Sequence, residues 1–272
     1  MIIDTHTHVW VNDPEKYPWQ PVGGYIPEKD APAISLIEVL DEAGVDRAVL
    51  VQPTPYGWDN AYMLAAAREY PERFRTVCLV NPHSSEAAEA LERLVQKETV
   101  KGVRIHWNLE SGPMWADELN HRRLWAAAQD LEIPVCLHLS PDQLGLAGLM
   151  AGEYPDVRVV LDHLGRPRPG SSPDGPAFQD LLALAGQPNC FVKLSGMHYY
   201  SQEKAPFRDT WEMLTAVVQA FGAQRCLFGS DFPFVLDHWT YDSLLACIRD
   251  QIGFTDEQAS WILGRTASSL GW

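Results

Sequence analysis

The feature that most restricts the fold is an alternation that runs the length of the chain: a short apolar, β-rich run, then a longer stretch with helical spacing, eight times over. The runs are MIIDTHTHV (1–9), RAVLVQP (47–53), FRTVCLVNP (74–82), KGVRIHW (101–107), IPVCLHLS (133–140), VRVVLDHLG (157–165), NCFVKLSG (189–196) and RCLFGSDFP (225–233). Several are bounded by Pro or Gly, the residues that end regular structure. Helical stretches are expected between them near 34–44, 59–70, 84–97, 117–130, 142–153, 177–186, 206–221 and 240–250. The seventh places Trp211, Leu214, Val218 and Phe221 at spacings of three and four, one face of a helix. A ninth begins at TDEQ, where Thr255 and Gln258 stand at capping-box spacing, and Gly264 falls near its end. Eight β-then-α units predict an α/β fold, a (β/α)8 TIM barrel forming a single domain over residues 1–272, ahead of a doubly wound open sheet.

Two connections exceed the usual two to six residues. Residues 10–32 follow the first run and residues 166–176 the sixth. Both leave the C-terminal ends of strands, the barrel face that carries active sites. The first is rich in Trp, Tyr and Pro. It is either the wall or lid of a pocket or a plain surface loop.

The polar residues sort to the same face. Side chains alternate along a strand, so Asp4, His6 and His8 are expected to share one side of the first. A single His-x-His is weak evidence, but it does not stand alone. Arg104 and His106 end the fourth run, His138 the fifth, His163 the sixth, Ser195 the seventh and Asp231 the eighth. A barrel brings these ends to one mouth. His6, His8, His138 and His163 at strand ends, with a carboxylate on the last strand, predict a catalytic centre there. Imidazoles and a carboxylate suit Zn2+ with one position left for water, whose pKa the metal lowers to about 7. Without a metal, Asp231 must activate water unaided. A lactone is reactive enough for that, whereas an amide is a harder target.

Composition removes other classes. With 36 acidic and 21 basic residues the formal charge is −15, which opposes binding to nucleic acid or an anionic membrane surface. A small anionic substrate held by a few arginines is compatible with it. No apolar stretch reaches the ~18 residues of a membrane span, and no basic-then-apolar leader opens the chain, so a cytoplasmic location is expected. The five cysteines are odd in number, lie in apolar settings and form no C-x-x-C pair, which predicts buried free thiols. G-x-S-x-G, P-loop and G-x-G-x-x-G motifs are absent.

The segments DTHTH, LHLS, LDHLG, VKLSG and GSDFP, in this order over essentially the whole chain, resemble the amidohydrolase superfamily. More narrowly they resemble its amidohydrolase 2 branch of sugar-lactone and 2-pyrone-4,6-dicarboxylate lactonases; a sister group of aromatic-acid decarboxylases has a similar GSDFP ending. The resemblance implies that His6 and His8 are metal ligands or, in metal-free members, part of the substrate site, and that His138 and Asp231 are further metal ligands. It implies Asp231 as the general base on the attacking water and His163 as a substrate-contacting or proton-transferring histidine. Binuclear members carry a carboxylated lysine or a glutamate at the end of strand four. Here Lys101 stands at that strand's beginning and no acid precedes Glu110, so one divalent metal, Zn2+, or none is expected.

The remaining candidates have two readings each. Arg104 and Arg166 would clamp a substrate carboxylate in two-pronged fashion, or Arg104 is a structural ion-pair partner. His198, Tyr199 and Tyr200 lie beside the mouth, with His198 and Tyr199 taken as substrate-binding candidates that line the pocket, and His106 and Trp107 are similar. Lys193 is a buried pair with an acid or reaches the mouth; Asp162 orients a histidine or pairs with an arginine. His83, His121 and His238 are read as surface or capping residues. The expected activity is hydrolysis of a small, carboxylated or sugar-derived lactone by activated water. The alternatives are a metal-dependent non-oxidative decarboxylase and a barrel that binds a small molecule without turnover. Oligomeric state, a homo-oligomer included, is not legible.

Overall fold

A computed structural model describes residues 1–21, 25–97, 100–106 and 118–272. Eight strands form one sheet in chain order, each parallel to the next. They are β1 (Ile3–Thr7), β2 (Arg47–Val51), β3 (Phe74–Leu79), β4 (Val100–His106), β5 (Val135–His138), β6 (Val159–Leu161), β7 (Cys190–Leu194) and β8 (Cys226–Phe228). The first and last are joined just beyond β8: Asp231 N donates to His6 O at 2.8 Å and His8 N to Phe232 O at 2.8 Å. This nearly closes the expected barrel.

Helices return the chain between strands because parallel strands cannot be joined by a tight turn. They are α1 (Ala33–Glu42), α2 (Ala61–Glu69), α3 (Ala87–Lys97), α4 (Leu119–Asp130), α5 (Leu144–Glu153), α6 (Pro176–Ala183), a single turn α7 (Met197–Tyr200), α8 (Trp211–Phe221), α9 (Tyr241–Ala246), α10 (Asp256–Ser260) and α11 (Thr266–Ser269). In α8 the buried face is Met213, Leu214, Val217, Val218 and Phe221, so Trp211 sits at its edge. Thr255 and Gln258 do form a capping box, but the helical path does not stop at Gly264. It continues through residues 261–265 into α11.

Two cores hold the barrel. Apolar side chains pack between sheet and helices, and a smaller set fills the barrel's lower interior: Ile3, Val49, Val51, Val77, Cys136, Val160 and Leu227. Ala267, Leu270 and Trp272 close that interior from below, with Trp272 Nε1 donating to Lys101 O at 2.9 Å. Lys101 is therefore at the end opposite the mouth, as its place at the strand's start implied. All five cysteines are buried and unbridged.

Three expectations change. Strict alternation in β1 fails, because its register against β2 shifts between Asp4 and Thr7. Asp4 turns away from His6 and His8; its Oδ1 accepts from His6 N and Ser230 N at 3.0 and 2.9 Å, and its Oδ2 from Tyr241 OH at 2.8 Å. It ties β1 to the turn after β8 instead of facing the mouth. Strands six and eight are three residues long, because the chain leaves β geometry as it enters the site-bearing segments: His163, Leu164, Arg166 and Asp231 have φ of 52°, 54°, 56° and 63°. His121 is no surface residue, but is fully buried in α4. Trp107 and Glu110 lie outside the described residues. Among those residues, no helix is long and apolar enough to cross a membrane.

Candidate active site

Left-handed backbone at a histidine and an aspartate is uncommon and costs on the order of 1 kcal/mol or more, so it persists where surrounding structure enforces it. At Asp231 and His163 it turns both side chains over the barrel's upper end. Two glycines leave room for them. A Cβ on Gly196, itself at φ +70°, would stand 2.7 Å from His163 Nδ1, and one on Gly229 would stand 2.8 Å from His6 Cβ.

Asp231 is the hub of one side of the site. Oδ1 lies 3.6 Å from His6 Nε2 and 3.4 Å from His8 Nε2. Oδ2 accepts from Tyr199 OH at 2.7 Å and lies 3.6 Å from His198 Nε2. Burial alone would raise this carboxyl's pKa, but His163, the His8 contact and His6 outweigh burial and hold it well below the ordinary carboxylate range. Asp231 is therefore an anion throughout the neutral range. His163 is the converse: burial pulls it down to about 4, so it is a neutral imidazole at pH 7, with Nδ1 2.9 Å from Ser195 Oγ. Burial also lowers His6, His106 and His138 well below the usual histidine value.

Beneath this layer sits Asp162, fully buried. Arg104 Nε donates to its Oδ2 at 2.8 Å, while Lys193 Nζ and His6 Nδ1 lie 3.1 and 3.3 Å from its Oδ1. Asp162 pairs with an arginine, one of its two readings, and Lys193 is the buried partner of an acid rather than a residue of the mouth.

The opposite side is cationic. Arg104 and Arg166 line a cavity of about 490 Å³ with His106 and His138, and Asp231 is the one carboxylate among the described residues that line it. Tyr25 and Phe234 add aromatic walls. Tyr25 comes from the long connection after β1, which so far supports the pocket-wall reading of that loop.

The structure places His138, expected as a metal ligand, on this cationic side. Arg104 Nη2 and Arg166 Nη1 each stand at hydrogen-bond distance from one of its two nitrogens, the second at 2.6 Å. A neutral imidazole has one acceptor, so it accepts from one guanidinium at a time. His198 differs too: it does not line the cavity but lies behind Asp231, stacked on His238 with centroids 4.9 Å apart. Tyr199, expected to touch substrate, both lines the cavity and holds Asp231. Tyr25 and Phe234 were not singled out in the sequence; for Phe234 the one available signal was its position directly after GSDFP.

The residues around Asp231 can hold a metal ion. His6, His163 and Asp231 each present a ligand atom, all within 4.8 Å of one another. Among the described residues His6 Nε2 is buried with no hydrogen-bond partner. His8 adds an independent sign. Its Nδ1 lies 2.7 Å from Val51 O and must donate to it, which leaves the Nε2 lone pair facing the Asp231 carboxylate. Two acceptors face each other favourably only with a cation between them, either a proton or a metal. Two or three imidazoles with a carboxylate form a donor set for one ion, and the structure brings His163 beside His6 and Asp231 in it.

The amidohydrolase family profile matches residues 3–270, and the chain belongs to that family. It is 27% identical over 231 residues to a 4-sulfomuconolactone hydrolase of Rhizobium radiobacter, covering 85% of this chain and 75% of that one. It is 28% identical over 236 residues to an L-fucono-1,5-lactonase of Burkholderia ambifaria, covering 85% and 80%. A crystal structure from Acinetobacter baumannii, described as a 2-pyrone-4,6-dicarboxylic acid hydrolase with citric acid bound, superposes with a TM-score of 0.85 at 25% identity over 100% and 99% of the two chains. The protein is thus a hydrolase of the amidohydrolase family.

Proposed function

We propose that this hydrolase opens a small lactone that carries a carboxylate, and that Asp231 activates the attacking water. The carrying observation is the division of the 490 Å³ cavity between one buried carboxylate and a facing pair of arginines. Asp231 takes a proton from water as its oxygen bonds to the lactone carbonyl carbon. Collapse breaks the bond to the ring oxygen, and that oxygen receives the proton back. Tyr199 holds Asp231 by its hydroxyl, which burial and the Asp231 charge keep protonated. Neutral His163 is placed to donate a hydrogen bond to the carbonyl oxygen as negative charge develops there. Arg166 and Arg104 take the substrate carboxylate, and the aromatic walls exclude water. The lactonase names of the relatives support this reading.

Where a metal is held, His6, His8, His163 and Asp231 would hold one Zn2+, whose preference for imidazole and carboxylate donors fits them; His163 would then serve as a ligand in place of its hydrogen bond to the carbonyl, and the ion would supply a water of lowered pKa. The expected setting is the cytoplasm, with a small molecule as partner.

The test is a pH-indicator assay on sugar lactones and pyrone carboxylates. Ring opening releases one proton per turnover as the new acid ionises, whereas decarboxylation takes one up before CO2 hydrates. Acid release above the spontaneous rate that disappears in Asp231→Asn is the expected result. CO2 formation from aromatic acids, with no lactone opened, would contradict it.

A further inference from the structure

His6, in β1, and His8, just past its end, are separated by one residue and lie at similar distances from Asp231, yet their other nitrogens meet opposite partners. His8 Nδ1 meets the Val51 carbonyl at 2.7 Å and donates. His6 Nδ1 meets the Lys193 ammonium at 3.1 Å. An ammonium has donors and no acceptor, so in that contact His6 Nδ1 accepts, and the single proton of the neutral ring then stands on Nε2. Lys193, His6 and Asp162 are all fully buried, so no solvent competes for these positions.

We propose that Lys193 is a positioning residue that fixes the His6 proton on Nε2, on the side that faces Asp231, and so opposes metal coordination at that nitrogen. This rests on the reading that His6 and Asp231 belong to the active site. A metal needs the Nε2 lone pair. To expose it, the proton must move to Nδ1 and be donated to Asp162 Oδ1, 3.3 Å away. That would form the carboxylate–histidine–metal arrangement common in zinc sites. Lys193 blocks that arrangement, because its ammonium and an Nδ1–H would face each other as two donors.

Lys193 itself is held in place. Asp162 Oδ1 lies 3.1 Å from its Nζ, and the ring of the C-terminal Trp272 lies beneath it at 5.4 Å, where cation–π attraction adds to the ion pair. Arg104 occupies Asp162 Oδ2, which leaves Oδ1 to be contested between Lys193 and His6. The result is an asymmetric His-x-His: His8 is set as an acceptor toward the site and His6 as a donor. Metal affinity is then governed by which partner of Asp162 holds the His6 Nδ1 side.

The experiment compares the wild type, Lys193→Met and Lys193→Arg in two measurements that do not depend on turnover. Zinc affinity is measured by competition with a chromophoric chelator. The His6 tautomer is read from long-range 1H–15N spectra of the metal-free protein, assigned with His6→Gln. Lys193→Met is expected to bind zinc roughly 10- to 100-fold more tightly, the span that such outer partners command, with His6 moving from Nε2–H to Nδ1–H. Lys193→Arg keeps a donor and is expected to stay near the wild type. A merely structural role for Lys193 would weaken zinc binding on substitution, the opposite sign. Unchanged or weaker affinity in a folded Lys193→Met protein would overturn the proposal. So would an Nδ1–H tautomer in the wild type, which decides the matter even if Lys193→Met does not fold. Failure of the lactone assay would leave both readouts intact, so the two proposals fail separately.

Discussion

The two walls of the cavity are built from the same kinds of side chain and do opposite things. On the β8–β1 side, Asp231 is ringed by His6, His8, His163 and Tyr199, with His198 behind. On the β4–β6 side, His106 and His138 lie among Arg104 and Arg166. A histidine beside Asp231 serves the carboxylate or a cation bound to it; a histidine beside two guanidinium groups can only be their acceptor. The difference teaches that histidine content does not mark the chemistry here. The charge facing each ring does. One wall is arranged to move a proton and the other to hold an anion.

The sharpest way to break this division is Asp231→Asn, which removes the base at nearly constant volume. Turnover should fall roughly 10²- to 10⁴-fold, the range that acid–base catalysis supplies, in steady-state assays with an unchanged circular dichroism spectrum. Next is Arg166→Met. Losing a charged partner costs about 1.5–3 kcal/mol, so KM for a carboxylated lactone should rise about 10- to 100-fold, with little change for a neutral sugar lactone. Tyr199→Phe should be milder. One hydrogen bond to a carboxylate is lost, and kcat should fall about tenfold, checked on both substrates because the effect belongs to the acid wall.

The pH dependence sharpens the comparison further. Asp231 is ionised and His163 neutral above about pH 4, so the kcat/KM profile should show no inflection near the ordinary histidine pKa. Stability should behave differently. His163 has a folded pKa of about 4, below its unfolded value of 6.5. Between these limits the unfolded chain binds the extra proton, so stability falls as pH drops from 6.5 toward 4, by about 1.4 kcal/mol per pH unit for each such histidine. His6, His106 and His138 are shifted in the same direction and add to the slope. Urea melts at pH 7 and pH 5 measure it. Asp162 and Asp231, both lowered, contribute only once pH falls into the carboxylate range and below.

The barrel was legible because its cause is periodic: apolar runs of strand length separated by helical spacing, repeated eight times, leave little choice. The gathering of His6, His8, His163 and Asp231 followed, since strand ends share a mouth. What was not legible depends on lateral neighbours. His138 sits at a strand end like the others, but its partners are set by guanidinium groups from β4 and from the connection after β6, which no spacing reveals. Asp4 obeyed the alternation rule on paper and left it through a register shift against β2, where Ser230 and Tyr241 claim its carboxylate. The short β6 and β8 escaped notice because His and Asp do not announce a positive φ as Gly does. His198 was expected at the cavity surface, yet α7 carries it behind Asp231.

The most direct test of the two-wall account is the affinity of Asp231→Asn for a carboxylated lactone that the wild type opens, measured by isothermal titration. The account predicts a Kd within a few-fold of the wild-type KM, with the lactone recovered intact, because the anion is held by the arginine wall. Loss of binding in Asp231→Asn, or ring opening at the wild-type rate, would contradict it.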